Sequence, residues 1–164
     1  TYPLPEAQLD RFLFKLNVSF PDVDELVTIL DRTTRDVAPE ASIATDGATL
    51  HQMGILARQI PIASHVSEYV ARLLIATHPE KPDTPDVVKR YVRYGASPRG
   101  AQAIVLGAKV NALFHGRYNV AFSDIEAIIY PALRHRLILN FEGEAEGMTA
   151  DGIIEALLKE VKTT

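Results

Sequence analysis

The sequence predicts a mainly α-helical protein, a helical bundle preceded by a short helix-strand-helix segment. Apolar residues recur at helical spacing through most of the chain after residue 45. Only one stretch, residues 13–20, alternates apolar and polar side chains with the period of a strand. With 47% apolar residues in 164, the chain has enough apolar surface to bury a core, which disfavours intrinsic disorder.

The first 34 residues hold the three elements that precede the bundle. A short helix is expected over residues 5–12, with Pro5 at its first position, where a missing N–H costs nothing. The strand over residues 13–20 follows. Its pairing partners are expected upstream of this chain, because one strand cannot satisfy its own backbone groups. Asp22 and Glu25 then form a capping box that opens the next helix.

A linker is expected at residues 35–44, which lack periodicity, although a surface loop inside one domain fits the composition equally well. Apolar periodicity, caps and breakers predict the bundle helices near residues 50–60, 62–73, 84–94, 97–114, 123–133 and from about 150 onward. The helix that opens at Ser97 is apolar nearly all round, which indicates a central position. Pro131 is expected to kink the helix that contains it.

Composition disfavours several classes of function. Without cysteine, the chain has neither a disulfide framework nor a thiolate metal site, and its five histidines lack metal-binding spacing. No apolar run approaches the roughly 20 residues of a membrane span, and no signal-peptide pattern is present, so a cytoplasmic location is expected. The net charge of −4 weighs against a dedicated nucleic-acid domain.

The most informative local feature lies at residues 95–100, GASPRG. Ser97 is suited to an N-cap and Pro98 to the first helical position, which places Arg99 in the first turn. A cation there opposes the helix macrodipole, whereas free N–H groups beside a guanidinium suit a phosphate. The simpler alternative is an arginine that binds a nearby carboxylate or water. Gly100 permits the close approach of a ligand or a neighbouring helix.

Two other basic positions are less informative on spacing alone. Arg11 ends the first short helix, where the dipole favours a cation in any case. Residues 134–136, Arg-His-Arg, could bind an anion or the acidic loop that begins at Glu142, or could complement the helix C-terminus, which is the favoured interpretation. The chain contains neither a G-x-x-x-x-G-K-[ST] phosphate loop nor a G-x-S-x-G elbow, and so no complete catalytic set.

Three motifs carry a resemblance to a known family. Residues 2–12, YPLPEAQLDRF, resemble the segment that follows sensor 1 in MoxR-type AAA+ ATPases. Residues 97–100, SPRG, resemble the sensor 2 motif at the start of a lid helix, and residues 134–137, RHRL, resemble a signature late in the lid. The resemblance implies the end of an α/β AAA+ core at residues 1–34, a linker at 35–44 and an all-helical AAA+ lid at 45–164.

The resemblance also implies roles for two residues. Arg11 matches the arginine finger, which acts in trans at the neighbouring subunit's site, and Arg99 matches the sensor 2 arginine, which contacts ATP phosphate. The Walker A and B motifs of the family are expected upstream. The intact protein is therefore expected to use ATP and Mg²⁺, whereas this chain alone is expected to bind neither and to be inactive.

The resemblance further implies a homo-oligomeric ring, most simply a hexamer, that remodels or matures client protein complexes together with a von Willebrand factor A-domain protein. Nucleic-acid binding and membrane insertion are not expected. One alternative is a helical protein-interaction module without nucleotide chemistry. A more distant alternative is a nucleic-acid-binding domain that uses five arginines: Arg90, Arg93, Arg117, Arg134 and Arg136.

Overall fold

The computed structural model describes residues 4–36 and 40–163. Three parts of the sequence predictions lie outside these residues: the start of the first motif at residues 2–3, residues 37–39 of the expected linker, and Thr164. The described chain is mainly α-helical, as predicted. None of its helices is both long and apolar enough to cross a membrane.

The helices and strands of the described residues follow one another in this order: α1 Glu6–Leu9, α2 Val23–Thr33, α3 Gly47–Gln59, α4 Ser64–Ile75, α5 Asp86–Tyr91, β1 Val92–Tyr94, α6 Pro98–Phe114, α7 Phe122–Leu133, β2 Ile138–Leu139, α8 Phe141–Ala145 and α9 Ala150–Glu160.

The chain divides into two compact units. The larger unit contains Thr1–Lys15 and Ile55–Thr164, and the smaller contains Leu16–Gly54. Among the described residues, this division groups residues 4–15 with the helical bundle, because their contacts are made there. The domain boundaries inferred from the sequence, at residues 34/35 and 44/45, stay a prediction about how the family delimits core, linker and lid.

Of the two predictions made for residues 13–25, one is confirmed and one is wrong. The capping box of α2 is present, with the Glu25 amide donating to Asp22 Oδ1 at 2.9 Å and the Asp22 amide to Glu25 Oε2 at 3.1 Å. The strand expected at residues 13–20 is not formed. Apolar and polar residues do alternate in this segment, but among the described residues no strand pairs with it, and side chains such as Val18 and Phe20 are exposed. A strand depends on such pairing, which periodicity does not report.

The core of the larger unit is built around α6. This helix packs against α7 and α4, and α7 also packs against α9. This packing agrees with the predicted central position, but only one side of α6 is buried, and apolar residues such as Val110 and Phe114 are exposed. The buried residues are small apart from one isoleucine, so neighbouring helices approach closely: Gly100, Ala103, Ile104, Gly107, Ala108 and Ala112.

A two-stranded sheet lies where the sequence predicts the end of a helix. Helix α5 ends at Tyr91, not at Tyr94, and β1 pairs antiparallel with β2. Asn140 ends this pairing, since its amide donates to the Tyr91 carbonyl at 2.8 Å and its side chain to the Arg90 carbonyl at 2.6 Å. The side-chain oxygen of Asn140 also caps α8, a short helix within the stretch expected to be an acidic loop.

Candidate functional site

Arg99 occupies the position that the sequence predicts. Helix α6 begins at Pro98, and the Ser97 hydroxyl accepts a hydrogen bond from the Arg99 amide at 3.2 Å, so the N-cap is confirmed. The Arg99 side chain is 52% exposed, and its Nη1 lies 3.4 Å from Asp10 Oδ2. A carboxylate partner is therefore present, as the simpler alternative proposed, but the contact is long and open to solvent.

Asp10 is the centre of this site, although no local sequence pattern marks it as a functional residue. The Ser97 hydroxyl lies 2.9 Å from each of its carboxylate oxygens, and Arg136 Nε lies 3.0 Å from Oδ1. Burial by itself would raise the pKa of Asp10, but the hydrogen bonds from Ser97 and Arg136 outweigh it and hold that pKa below the ordinary value. Asp10 is thus an anion held by three donor side chains.

Arg136 is a buried structural residue. Its side chain is 3% exposed, and all five guanidinium N–H groups are used. Nε donates to the Asp10 carboxylate, and the four terminal N–H groups donate to main-chain carbonyls, those of Asp10, Phe12, Leu13 and Ala132. No donor is left for an external anion, so the anion-site reading of this arginine is wrong.

Gly100 provides the space for the Arg136 side chain. A Cβ at position 100 would lie 3.3 Å from Arg136 Cδ and 2.9 Å from Leu133 Cδ2. The close approach that the sequence suggested for Gly100 is therefore made by Leu133 of α7 and by Arg136 in the turn that follows α7.

Arg134 and His135 bind the same N-terminal segment. Arg134 pairs with Asp151 at 2.8 Å, and its Nη1 donates to the Lys15 carbonyl at 3.0 Å. His135 Nε2 lies 3.0 Å from the Phe12 carbonyl, which can only accept, so that nitrogen carries the proton. Burial lowers the pKa of His135, which favours the neutral ring.

The acidic stretch at residues 142–146 does not bind residues 134–136, contrary to one reading of the sequence. Its Glu142 and Glu146 pair instead with Arg90, at 2.6 and 2.7 Å. The basic tripeptide finds its carboxylates elsewhere, at Asp151 and Asp10.

Two further contacts fix residues 10–15, which we call the docked segment, onto the bundle. The Lys15 amide donates to the Pro131 carbonyl at 2.9 Å, close to the end of α7. The Phe14 ring lies over Gly107, where a Cβ would be 2.7 Å from Phe14 Cζ. The docked segment is therefore held at both ends and at its centre by α6, α7 and the turn that follows α7.

Arg11 lies within the docked segment but is not itself bound. Its side chain is exposed, and it forms no ion pair with any residue of the described ranges. The main-chain carbonyls on either side of it, those of Asp10 and Phe12, are both bonded to Arg136. The backbone of Arg11 is thus fixed while its guanidinium stays available.

Most of the other arginines are occupied. Arg117 pairs with the fully buried Asp124 at 2.5 Å, and Arg93 lies over the ring of Tyr94 at 5.0 Å. Of the five arginines considered for nucleic-acid binding, four are held by carboxylates, so little basic surface is left for a phosphate backbone.

Within the described ranges, no three potential metal ligands come together.

Known proteins are similar to this chain over nearly its whole length. A model of the AAA lid domain matches residues 86–157. The chain is 37% identical over 161 residues to Chaperone MoxR1 of Mycobacterium tuberculosis, covering 98% of this chain and 42% of the relative. It is 32% identical over 167 residues to the uncharacterized protein YeaC of Bacillus subtilis, covering 99% and 48%.

A solved structure shows the same fold. The crystal structure of a proposed ATPase from Cytophaga hutchinsonii superposes with a TM-score of 0.90 at 31% identity, covering 98% of this chain and 49% of that one. The chain spans less than half the length of each of these relatives. Together these matches agree with the helical bundle and its motifs: the chain contains an AAA lid domain and is similar over nearly its whole length to MoxR-type proteins.

Proposed function

We propose that this chain is the lid and sensor portion of a protein that hydrolyses ATP with Mg²⁺ and uses the energy for chaperone-like remodelling of protein complexes. The observation that carries the proposal is the pair of exposed arginines: Arg11, which follows Asp10 in the chain, and Arg99, whose guanidinium contacts the Asp10 carboxylate. The other two arginines of this site, Arg134 and Arg136, are largely buried and pair with carboxylates at 2.8 and 3.0 Å, whereas Arg11 and Arg99 are exposed enough to bind an external anion.

Arg99 is the proposed ligand for ATP phosphate in its own subunit. It lies in the first turn of α6, where main-chain N–H groups and the helix dipole favour an anion, and half of its side chain faces solvent. The residues present fit a phosphate at this point. A planar guanidinium forms two parallel bonds to phosphate oxygens, which makes it sensitive to the position of the nucleotide.

Arg11 is the proposed arginine finger for the adjacent subunit of a ring, most simply a hexamer. When bound, ATP would supply the phosphoryl group to be transferred and Mg²⁺ would neutralise part of its charge, while Arg11 would stabilise the charge that remains in the transition state. Such fingers contribute about 10³–10⁵ in rate in well-studied NTPases. The Walker motifs that bind the nucleotide are proposed to lie outside this chain, which alone would be inactive.

The proposed cellular role follows the relatives. One of them is named a chaperone, and we extend that role to this protein, acting in the cytoplasm on client proteins together with a von Willebrand factor A-domain partner. No specific client is proposed.

A second candidate is a helical protein-interaction module without nucleotide chemistry. The contact between Arg99 and Asp10 favours it, because a local carboxylate partner is what a purely structural arginine requires. The two candidates differ in what they predict when Arg99 is replaced in the intact protein.

The test compares Arg99→Ala and Arg99→Lys with the control Arg93→Ala, which removes an exposed arginine that stacks on Tyr94. Loss of a charge-assisted bond to phosphate, about 1.5–3 kcal/mol, predicts at least a tenfold loss in ATP affinity, turnover or both for Arg99→Ala. Arg99→Lys should recover only part of the lost affinity and turnover, because an ammonium cannot form the two parallel bonds of a planar guanidinium. Wild-type affinity and turnover in Arg99→Ala would instead show that Arg99 takes no part in nucleotide recognition, as expected if this portion of the protein is an interaction module.

A further inference from the structure

We propose that Asp10 is a positioning residue that holds Arg99 in the absence of nucleotide and releases it to phosphate, while keeping Arg11 in place. This inference rests on the proposed function, since it assigns a resting partner to the sensor arginine. The same carboxylate then connects the two functional arginines of the chain.

The contacts of Asp10 differ in strength, and the difference allows one to be exchanged. Arg136 is almost completely buried and lies 3.0 Å away, and the Ser97 hydroxyl lies 2.9 Å away. Arg99 lies 3.4 Å away and is half exposed, so solvent screens its attraction to Asp10. When Arg99 leaves, Asp10 keeps its two shorter bonds.

A nucleotide phosphate is able to displace Asp10 from Arg99. Phosphate carries more charge than a carboxylate and accepts two parallel bonds from a guanidinium, whereas the pair with Asp10 is a single long contact. Because exposed ion pairs contribute little, the exchange costs little. Asp10 therefore lowers ATP affinity slightly by competing for Arg99.

Asp10 also positions Arg11, its neighbour in the chain. The carboxylate of Asp10 binds Arg136, and Arg136 binds the main-chain carbonyls on both sides of Arg11. This part of the network does not involve Arg99. Neutralising Asp10 should therefore change affinity and turnover in opposite directions, an outcome that general loosening of the fold does not produce.

The experiment measures ATP affinity and turnover of the intact protein for Asp10→Asn, Arg99→Ala and the double variant. We expect Asp10→Asn to tighten ATP affinity about two- to fivefold, the range given by an exposed ion pair. It should also lower turnover by about tenfold, because Arg11 is less well positioned. The gain in affinity should disappear in the Arg99→Ala background.

Two further variants make the result specific. Asp10→Glu keeps the negative charge with altered geometry, so it should leave affinity near wild type and reduce turnover; it serves as the main test if Asp10→Asn does not fold. Glu142 lies outside the Asp10 cluster and pairs with Arg90 at 2.6 Å. Neutralising it in Glu142→Gln should change neither ATP affinity nor turnover.

The outcomes separate this inference from the proposed function. If Arg99→Ala weakens ATP binding but Asp10→Asn gives no gain in ATP affinity that depends on Arg99, Asp10 does not compete with phosphate for Arg99. The sensor role of Arg99 then stands. If Asp10→Asn leaves turnover unchanged, its positioning of Arg11 is wrong. If Arg99→Ala leaves affinity and turnover at wild-type values, the proposed function itself fails.

Discussion

At the scale of single residues, the arginines of this chain divide by what surrounds them. Arg136 uses all its donors inside the fold, whereas the side chains of Arg11 and Arg99 are exposed. A buried arginine with every donor satisfied cannot recognise a ligand, but it can hold a segment of main chain in one conformation. We therefore interpret Arg136 as the residue that orients the segment containing Arg11.

Arg136→Lys should loosen the docked segment, because an ammonium has three donors on a longer flexible stem and cannot replace five directed bonds. We expect the free energy of unfolding to fall by roughly 2–4 kcal/mol, since buried acceptors lose their partners. Hydrogen exchange of the Phe12 and Lys15 amides should accelerate. Arg93→Lys, at an exposed arginine, is the control. Unchanged exchange at both amides in Arg136→Lys would show that this arginine does not hold the segment.

Asp124 gives the chain a defined response to acid. It is fully buried; burial raises its pKa, but bonds from Arg117, the Ala121 amide and Asn111 bring that pKa down to about 2. The unfolded carboxyl titrates near 4, so the stabilisation is present above that pH and is lost as the pH falls from about 4 to about 2.

Asp124→Asn should lower the free energy of unfolding by roughly 2–3 kcal/mol at neutral pH. The difference from wild type should shrink as pH falls through the same window. Urea unfolding at a series of pH values measures this, and a difference that stays constant down to pH 2 would rule out the assigned role of the Asp124–Arg117 pair.

The residue scale also shows where sequence reasoning stops. The N-cap at Ser97 and the position of Arg99 follow from a few adjacent residues, so local rules predict them. Asp10 could not be identified in this way, because its partners lie 87 to 126 residues further along the chain. Only the fold brings them together.

At the scale of elements, the same distinction explains which predictions are confirmed. Helices such as α6 and α9 were predictable because their apolar spacing and caps are local. The strand expected at residues 13–20 is wrong, and the pair β1 and β2 was missed, because a strand is defined by a partner that is distant in the sequence. The Phe14 contact with α6 is likewise invisible to periodicity, although Gly107 within an apolar helix is a signal of close approach.

Gly107→Ala tests how the docked segment packs on α6. A Cβ at this position would lie 2.6 Å from Ile128 Cγ2 and 2.7 Å from the Phe14 ring, so the segment or α7 has to move. We expect a loss of roughly 1–3 kcal/mol in the free energy of unfolding. Gly54→Ala is the matched control, because a Cβ added at that helical glycine would have no atom within 4 Å, and the substitution should gain roughly 0.5–1 kcal/mol. Equal effects of the two substitutions on stability would argue against close packing at Gly107.

At the scale of the whole molecule, the docked segment makes Arg11 part of the larger unit, which contains the lid domain. Residues 4–15 and the helices from residue 55 onward form one compact unit, and Arg99 belongs to it as well. Under the proposed function, a change in lid position caused by phosphate at Arg99 would move Arg11 by the same amount. The nucleotide bound in one subunit would then change the position of Arg11 at the neighbouring subunit's site, because Arg99 and Arg11 belong to the same unit.

The most direct test of this account is the activity of mixed rings of the intact protein. Arg11→Ala alone should lower ATP turnover by about 10³-fold or more while leaving ATP affinity nearly unchanged, because a finger acts on transition-state charge. A second variant, defective in the Walker A lysine proposed to lie outside this chain, should also be inactive. Mixing the two should restore part of the turnover, since some interfaces then combine an intact nucleotide site with an intact Arg11 from the neighbour. Absence of recovery at every mixing ratio, with mixed assembly verified, would contradict the action of Arg11 in trans.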